Sequence, residues 1–154
     1  MTAASSFSSS PAISCHPVRN LYVHVPFCGR KCDYCAFYSE PASRELMARY
    51  TRALTREMDT IAPGVQPHPN TLFFGGGTPS LLPISLWEQL VDHARNLGLA
   101  PAHEWTVECN PATLSLDKAR FLREQGVNRI SLGVQSLDDR ILDQNGRASC
   151  RERV

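Results

Sequence analysis

Three observations in the sequence predict an α/β fold, a parallel sheet built from about four βα units. Short β-rich segments alternate with amphipathic helical stripes, an order that gives right-handed βαβ crossovers and a parallel sheet. The repeat recurs at about 30 residues, the length of one such unit. The chemically unusual residues follow the predicted strands, where parallel sheets and barrels collect their chemistry. Cys28–Cys35 follows the first strand, Gly75–Gly77 the second, Glu108 ends the third and Gln135 follows the fourth.

Residues 1–20 are rich in Ser and Ala without periodicity and are expected to form a disordered leader. Met1–Ser14 lacks the basic and apolar segments of a secretory signal, and a single Arg19 is too little charge for an organelle transit peptide. Leu21–Val25 reads as a strand stopped by Pro26. Ser43–Ile61 carries Met47, Tyr50, Leu54, Met58 and Ile61 on one helical stripe. Thr71–Phe74 is a short apolar strand that runs into the glycines. Ser85–Leu97 is the next helix, with Ser85 and Glu88 placed as a capping box and Gly98 as its C-terminal stop. Glu104–Glu108 is a strand ending before Asn110-Pro111, and Ser115–Gln125 a helix closed by Gly126. Arg129–Val134 is the fourth strand, and Ser136 caps a helix that begins at Leu137. Residues 21–144 therefore read as one core domain.

The final nine residues, Gly146–Val154, back-translate to GGA AGA GCG TCG TGT AGG GAA AGA GTG, one strand of a common sequencing adapter. Residues 145–154 are accordingly expected to be a non-native tail, and Cys150 to carry no role.

The 154 residues are 42% hydrophobic and 20% charged, ordinary globular proportions. A net charge of +1 gives no footprint for nucleic acid or an anionic membrane. No apolar run approaches the roughly 20 residues of a membrane span. The six cysteines are Cys15, Cys28, Cys32, Cys35, Cys109 and Cys150, and three of them crowd into one short loop. A secreted disulfide scaffold would spread them, so the expectation is a metal site in a reducing, cytoplasmic compartment.

Cys28-Gly-Arg-Lys-Cys32-Asp-Tyr-Cys35 is a C-x3-C-x2-C pattern. Three thiolates so spaced can ligate three irons of a [4Fe-4S] cube and leave the fourth open. Structural zinc wants a closed set of four ligands, for which His24 or Cys109 would have to be recruited. A redox pair at Cys32 and Cys35 would leave Cys28 unexplained. The spacing favours the cluster, with zinc as the alternative. Three glycines let backbone approach a ligand without a Cβ in the way, and a strand-end carboxylate at Glu108 suits a hydroxyl or an ammonium group. Taken singly, each has a plainer reading. The glycines would be a flexible turn, Glu108 a solvated strand end and Gln135 a polar residue at a helix start. Tyr22 would be an ordinary strand aromatic and Tyr34 loop packing.

Cys28, Cys32 and Cys35 directly after a first strand resemble the radical SAM superfamily. Four wider motifs are closer to its oxygen-independent coproporphyrinogen III oxidase-like family, which includes the HemW-type heme chaperones. They are Leu21-Tyr-Val-His-Val-Pro-Phe-Cys28, Phe74-Gly-Gly-Gly-Thr-Pro-Ser80, Val107-Glu-Cys-Asn-Pro111 and Gly126-Val-Asn-Arg-Ile-Ser-Leu-Gly-Val-Gln-Ser136. The likeness runs from about Leu21 to Gln144, so by this resemblance residues 21–144 are the N-terminal part of the core domain. It implies a partial (β/α) barrel of the radical SAM type, ending after about four βα units, with a [4Fe-4S] cluster on Cys28, Cys32 and Cys35. The open iron would be chelated by the amino and carboxylate groups of S-adenosyl-L-methionine (SAM), whose sulfur–carbon bond one electron then cleaves to give a 5′-deoxyadenosyl radical. By the same likeness Tyr22 and Tyr34 line the cofactor site, and Gly76, Gly77 and Thr78 bond the methionine end of SAM. Glu108 and Gln135 match further SAM contacts. Cys109 stands where the family has a small residue and reads as a buried free thiol; His24 reads as structural.

The oxidase branch carries a further cysteine two positions after the third cluster cysteine, where this chain has Phe37. The Cys-x-Phe form resembles the chaperone branch, which implies heme as a ligand, with a heme-acceptor protein and an electron donor as partners. One alternative is the oxidase, which decarboxylates propionate side chains of a porphyrinogen. The other is a non-catalytic iron-sulfur or zinc-binding module.

Overall fold

The computed structural model describes residues 17–144. Most of the expected leader and the whole of the expected tail lie outside these residues. In chain order the elements are β1 (Asn20–Val25), β2 (Phe27–Cys28), β3 (Glu40–Pro41), α1 (Arg44–Ile61), β4 (Thr71–Gly76), α2 (Ile84–Asn96), β5 (Glu104–Cys109), α3 (Leu116–Glu124), β6 (Arg129–Leu132) and α4 (Asp139–Gln144). The main sheet is parallel throughout, in the order β1-β4-β5-β6. Spatial order therefore follows chain order, as in a barrel wall, whereas a doubly wound sheet reverses direction part-way. Among the described residues no helix is long and apolar enough to cross a membrane.

Side-chain alternation along each strand sorts the sheet into two faces. Val23, Val25, Leu72, Phe74, Trp105 and Val107 are buried on the face that the helices cover. They pack with Met47, Leu54 and Met58 of α1, Trp87, Leu90 and Val91 of α2, and Leu122 of α3. Phe74 sits between two indoles, its ring centroid 4.9 Å from Trp87 and 6.1 Å from Trp105. Burying each such side chain contributes about 1.5–3 kcal/mol. The other face carries Tyr22, His24, Phe73, Gly75, Glu108 and Ser131, with His24 beside Gly75 and Glu108 beside Ser131 in register.

The helix stripes form as expected, with local adjustments. Ser43 and Ser115 cap α1 and α3, their hydroxyl oxygens accepting from the amides of Leu46 (3.1 Å) and Lys118 (3.2 Å). The expected capping box of Ser85 and Glu88 does not form. Pro83 takes the cap position, and its carbonyl accepts from Leu86 (3.0 Å) and Trp87 (3.1 Å), so the helix starts before Ser85. β6 stops at Leu132 because the amide of Val134 turns back to the carbonyl of Leu132 at 3.0 Å. The last helix begins at Asp139, two residues late. Ser136 first takes the amide of Asp138 (3.0 Å), and Asp138 then takes that of Arg140 (2.9 Å). Within the expected leader, Val18 bridges Val65 and β1 already starts at Asn20.

One pairing has no counterpart in the sequence reading. β2 and β3 are two residues each, run parallel, and bring Phe27 beside Glu40. The amide of Glu40 also donates to the carbonyl of Pro26 at 2.7 Å. The cysteine loop between them is thereby pinned at both ends.

Candidate functional site

The connections that leave the carboxyl ends of the strands converge on one cleft of about 850 Å3. Cys28, Cys32, Tyr34 and Cys35 line it from the pinned loop, and Gly76, Gly77 and Thr78 from the end of β4. Glu108 and Cys109 line it from β5, and Gln135 from the segment after β6. Every site residue expected from the sequence is therefore on this cleft except Tyr22. Tyr22 stands further down β1 on the same uncovered face, stacked on Phe73 at 5.8 Å, its phenol oxygen 3.3 Å from Nδ1 of His24. Partial desolvation, and after it the charge of Glu108, holds that phenol above its ordinary pKa.

The three glycines form a shelf built to close tolerances. The amide of Gly77 donates to the carbonyl of Val25 (2.8 Å), and that of Thr78 to the carbonyl of Phe27 (2.7 Å). A Cβ at Gly77 would lie 2.6 Å from the Phe27 carbonyl oxygen, and one at Gly76 would lie 2.5 Å from the His24 ring. Gly76 also has φ +107°, a conformation that glycine alone adopts cheaply. At Gly75 a Cβ would come within 2.9 Å of a Glu108 carboxylate oxygen. That carboxylate is aimed by a backbone bond, the amide of Gly76 donating to Oε2 of Glu108 at 3.0 Å. Shelf and carboxylate are thus one unit, and the flexible-turn reading of the glycines does not describe them.

The cysteine thiols are partly exposed toward the cleft. The amide of Cys35 closes a turn onto the carbonyl of Cys32 at 3.0 Å, and Sγ of Cys28 is 3.9 Å from Oγ1 of Thr78. Among the described residues no three His, Cys, Asp or Glu side chains converge closely enough to hold a metal ion. The thiols share the cleft without meeting at a point. Their chemistry fits a three-thiolate cluster nonetheless: three thiols on one loop face a shelf from which every Cβ is missing. The two residues considered as a fourth zinc ligand are engaged elsewhere. His24 packs on Gly76 and Tyr22. Cys109 is buried, its Sγ donating to the carbonyl of Val107 at 3.7 Å, and burial pushes its thiol up to about 11.

At the β5 side of the cleft, which Asn110 and Thr113 also line, lies a polar cluster to which the sequence reading gave no role. Ser80 is fully buried, and its hydroxyl accepts from the amide of Asn110 at 3.1 Å and bonds Oγ1 of Thr113. Nζ of Lys118 donates to the carbonyls of Ser80 and Thr113. The available signal was the pair of turns Thr78-Pro79-Ser80 and Asn110-Pro111, which place two polar loops at neighbouring strand ends.

A parallel barrel wall with a three-cysteine loop and a glycine shelf at its strand ends is the architecture of a protein that holds a cofactor at the barrel mouth. The sequence matches the family model of the Radical SAM superfamily over residues 22–154. The chain belongs to the radical SAM superfamily. It is 40% identical over 134 residues to the heme chaperone HemW of Bacillus subtilis (strain 168), covering 84% of this chain and 35% of that one. To the heme chaperone HemW of Escherichia coli (strain K12) it is also 40% identical over 134 residues, covering 85% and 35%. The oxygen-independent coproporphyrinogen III oxidase of Bradyrhizobium diazoefficiens is 38% identical over 123 residues, covering 77% and 27%. Among solved structures, the coproporphyrinogen III oxidase HemN of Escherichia coli, a radical SAM enzyme, superposes with a TM-score of 0.76 at 31% identity. That match covers 87% of this chain and 31% of HemN. The chain thus spans about a third of the length of the relatives it matches.

Proposed function

We propose that this chain carries the cofactor-binding part of a radical SAM heme chaperone, with a [4Fe-4S] cluster on Cys28, Cys32 and Cys35 and SAM seated between that cluster and the glycine shelf. The observation that carries the reading is the cleft itself, with thiols on one wall and a Cβ-free shelf locked to a carboxylate on the other. Gly76, Gly77 and Thr78 offer backbone to the methionine end of SAM, and Glu108 offers an acceptor to an ammonium or a hydroxyl group. Tyr34 and Gln135 flank the cleft. Gln135 holds φ +66°, unusual for a residue with a side chain and characteristic of functional turns. Tyr22 contributes from below, through His24 and through the field it shares with Glu108. When bound, the reduced cluster supplies the electron that splits a carbon–sulfur bond of SAM. The chain's part is to bind, orient and shelter these groups.

Heme as the ligand is supported by the 40% identity to two HemW chaperones and by Phe37, exposed on the cleft at the position that distinguishes the branches. The test is anaerobic reconstitution followed by iron and sulfide analysis, SAM titration and heme titration. The expected outcome is a brown protein with about four irons per chain and saturable binding of both SAM and heme. A colourless, zinc-only product would establish the binding-module alternative. Decarboxylation of porphyrinogen propionates without heme binding would establish the oxidase.

A further inference from the structure

We propose that Lys118 is a positioning residue for the cleft, stapling the loop after the glycine shelf to the loop after β5 and so fixing the gap between Gly76–Thr78 and Glu108. The proposal rests on the reading of this cleft as the SAM site. Lys118 sits in the first turn of α3, where its amide is taken by the Ser115 cap. Its side chain reaches both loops, Nζ donating to the carbonyl of Ser80 in one and to that of Thr113, at 3.3 Å, in the other.

The hydrogen-bond directions around it are determined. The Thr113 hydroxyl donates to the carbonyl of Asn110 at 3.1 Å, so the Ser80 hydroxyl must be the donor in the Ser80–Thr113 bond. The Ser80 oxygen then accepts from the amide of Asn110. Both bonds of the Ser80 hydroxyl cross to the loop after β5, the Thr113 hydroxyl makes one bond across and one within its own loop, and the ammonium adds a bond to one carbonyl of each loop. Half-burial lowers the pKa of Lys118 from its ordinary value, as expected of a cation held inside rather than waving in solvent. Charge-assisted bonds of this kind are stronger than neutral ones, and a partner left unpaired in a buried site is costly.

The consequence for the ligand is geometric. One loop follows the shelf assigned to the methionine end of SAM, and the other follows the carboxylate assigned to its ammonium or hydroxyl groups. A molecule that bridges both walls feels any change in their spacing, whereas the cluster cysteines belong to a third loop that Lys118 does not touch. Lys118→Met removes the staple while keeping the apolar stem, and Lys118→Arg keeps a cation with several donors.

The experiment compares the full 154-residue chain with Lys118→Met and Lys118→Arg after anaerobic reconstitution. Lys118→Met should keep its iron per chain but bind SAM about tenfold more weakly or worse, with a smaller SAM-induced change in the electron paramagnetic resonance spectrum of the reduced cluster. Lys118→Arg should recover most of the affinity. Unchanged SAM affinity in Lys118→Met overturns the proposal, and so does loss of iron alongside SAM. If the parent chain binds no SAM, the reading of the cleft fails, and the staple is judged by amide hydrogen exchange without ligand. Faster exchange in residues 76–82 and 110–113 of Lys118→Met, with α1 and α2 unchanged, supports it. Equal rates, or an increase throughout the chain, overturn it.

Discussion

The two faces of the sheet use the same strands for opposite purposes. On the covered face Val25, Trp105 and Val107 have no solvent exposure at all, and their neighbours are aromatic or aliphatic. On the other face Tyr22 is more than half exposed, stacked on Phe73 and beside His24, and the same face carries Gly75 and Glu108 toward the strand ends. A residue on the first face is chosen for volume and one on the second for what it leaves open or holds charged. Because the faces alternate residue by residue, adjacent positions such as Val107 and Glu108 should respond to substitution in different observables.

The largest effect expected from this contrast concerns iron. Cys28→Ala, Cys32→Ala and Cys35→Ala should each lose nearly all iron per chain after reconstitution, because each removes the protein ligand of one iron. Cys109→Ala, a buried thiol engaged with the backbone, should keep it. Equal loss from Cys109→Ala would show that the cleft uses four cysteines and would erase the distinction between the walls. Next comes Trp105→Ala on the covered face, which should cost about 3–5 kcal/mol in urea unfolding while leaving SAM affinity of the folded fraction unchanged. Gly77→Ala should invert that pattern. Its methyl group meets the backbone of Phe27, so about 1–3 kcal/mol is lost and SAM binding falls further than stability does. The smallest effect is alkaline. Tyr50, partly buried where α1 packs on the core and donating to the His24 carbonyl at 2.7 Å, has its pKa held well above the ordinary value, by burial first and by the charges of Glu57 and Tyr22 after it. Above about pH 10 the unfolded chain loses the phenol proton and the folded chain keeps it. Stability contributed by this group is therefore intact below that pH and declines above it. Tyr50→Phe should flatten that decline in unfolding curves recorded between neutral and strongly alkaline pH.

What the sequence made legible is what chemistry writes locally. The strand alternation, the helix stripes and the cysteine spacing each depend on residues a few positions apart. Gly98 and Gly126 likewise end α2 and α3 where expected, with φ of +72° and +101°. Ser85 misled because Pro83, two residues earlier, already provides a carbonyl for the first helical amides. The β2–β3 pair is too short for any period to register. Tyr22 is six positions before Cys28, and β1 carries the chain about 10 Å onward from Tyr22 to Val25 before Pro26 hands it to the separate pair that holds the cysteine loop. The partnership of Ser80, Thr113 and Lys118 joins residues from two crossover units, which no local pattern encodes. His24 shows the same thing in reverse. It reads as structural, yet its ring occupies the space that makes a glycine necessary at position 76.

Agreement between strand order and chain order also has a consequence in time. During synthesis β1 and its three thiols leave the ribosome first, then the shelf, then Glu108, and Gln135 last. At roughly 5–20 residues per second, the interval between Cys35 and Gln135 is about 5–20 s. For that interval the thiols are present without the walls that shelter them. The nascent chain, rather than the finished protein, is therefore where oxidants and stray metals meet these thiols most freely; under the proposed reading, an iron donor that acts after β6 has docked would meet a cleft with both walls in place.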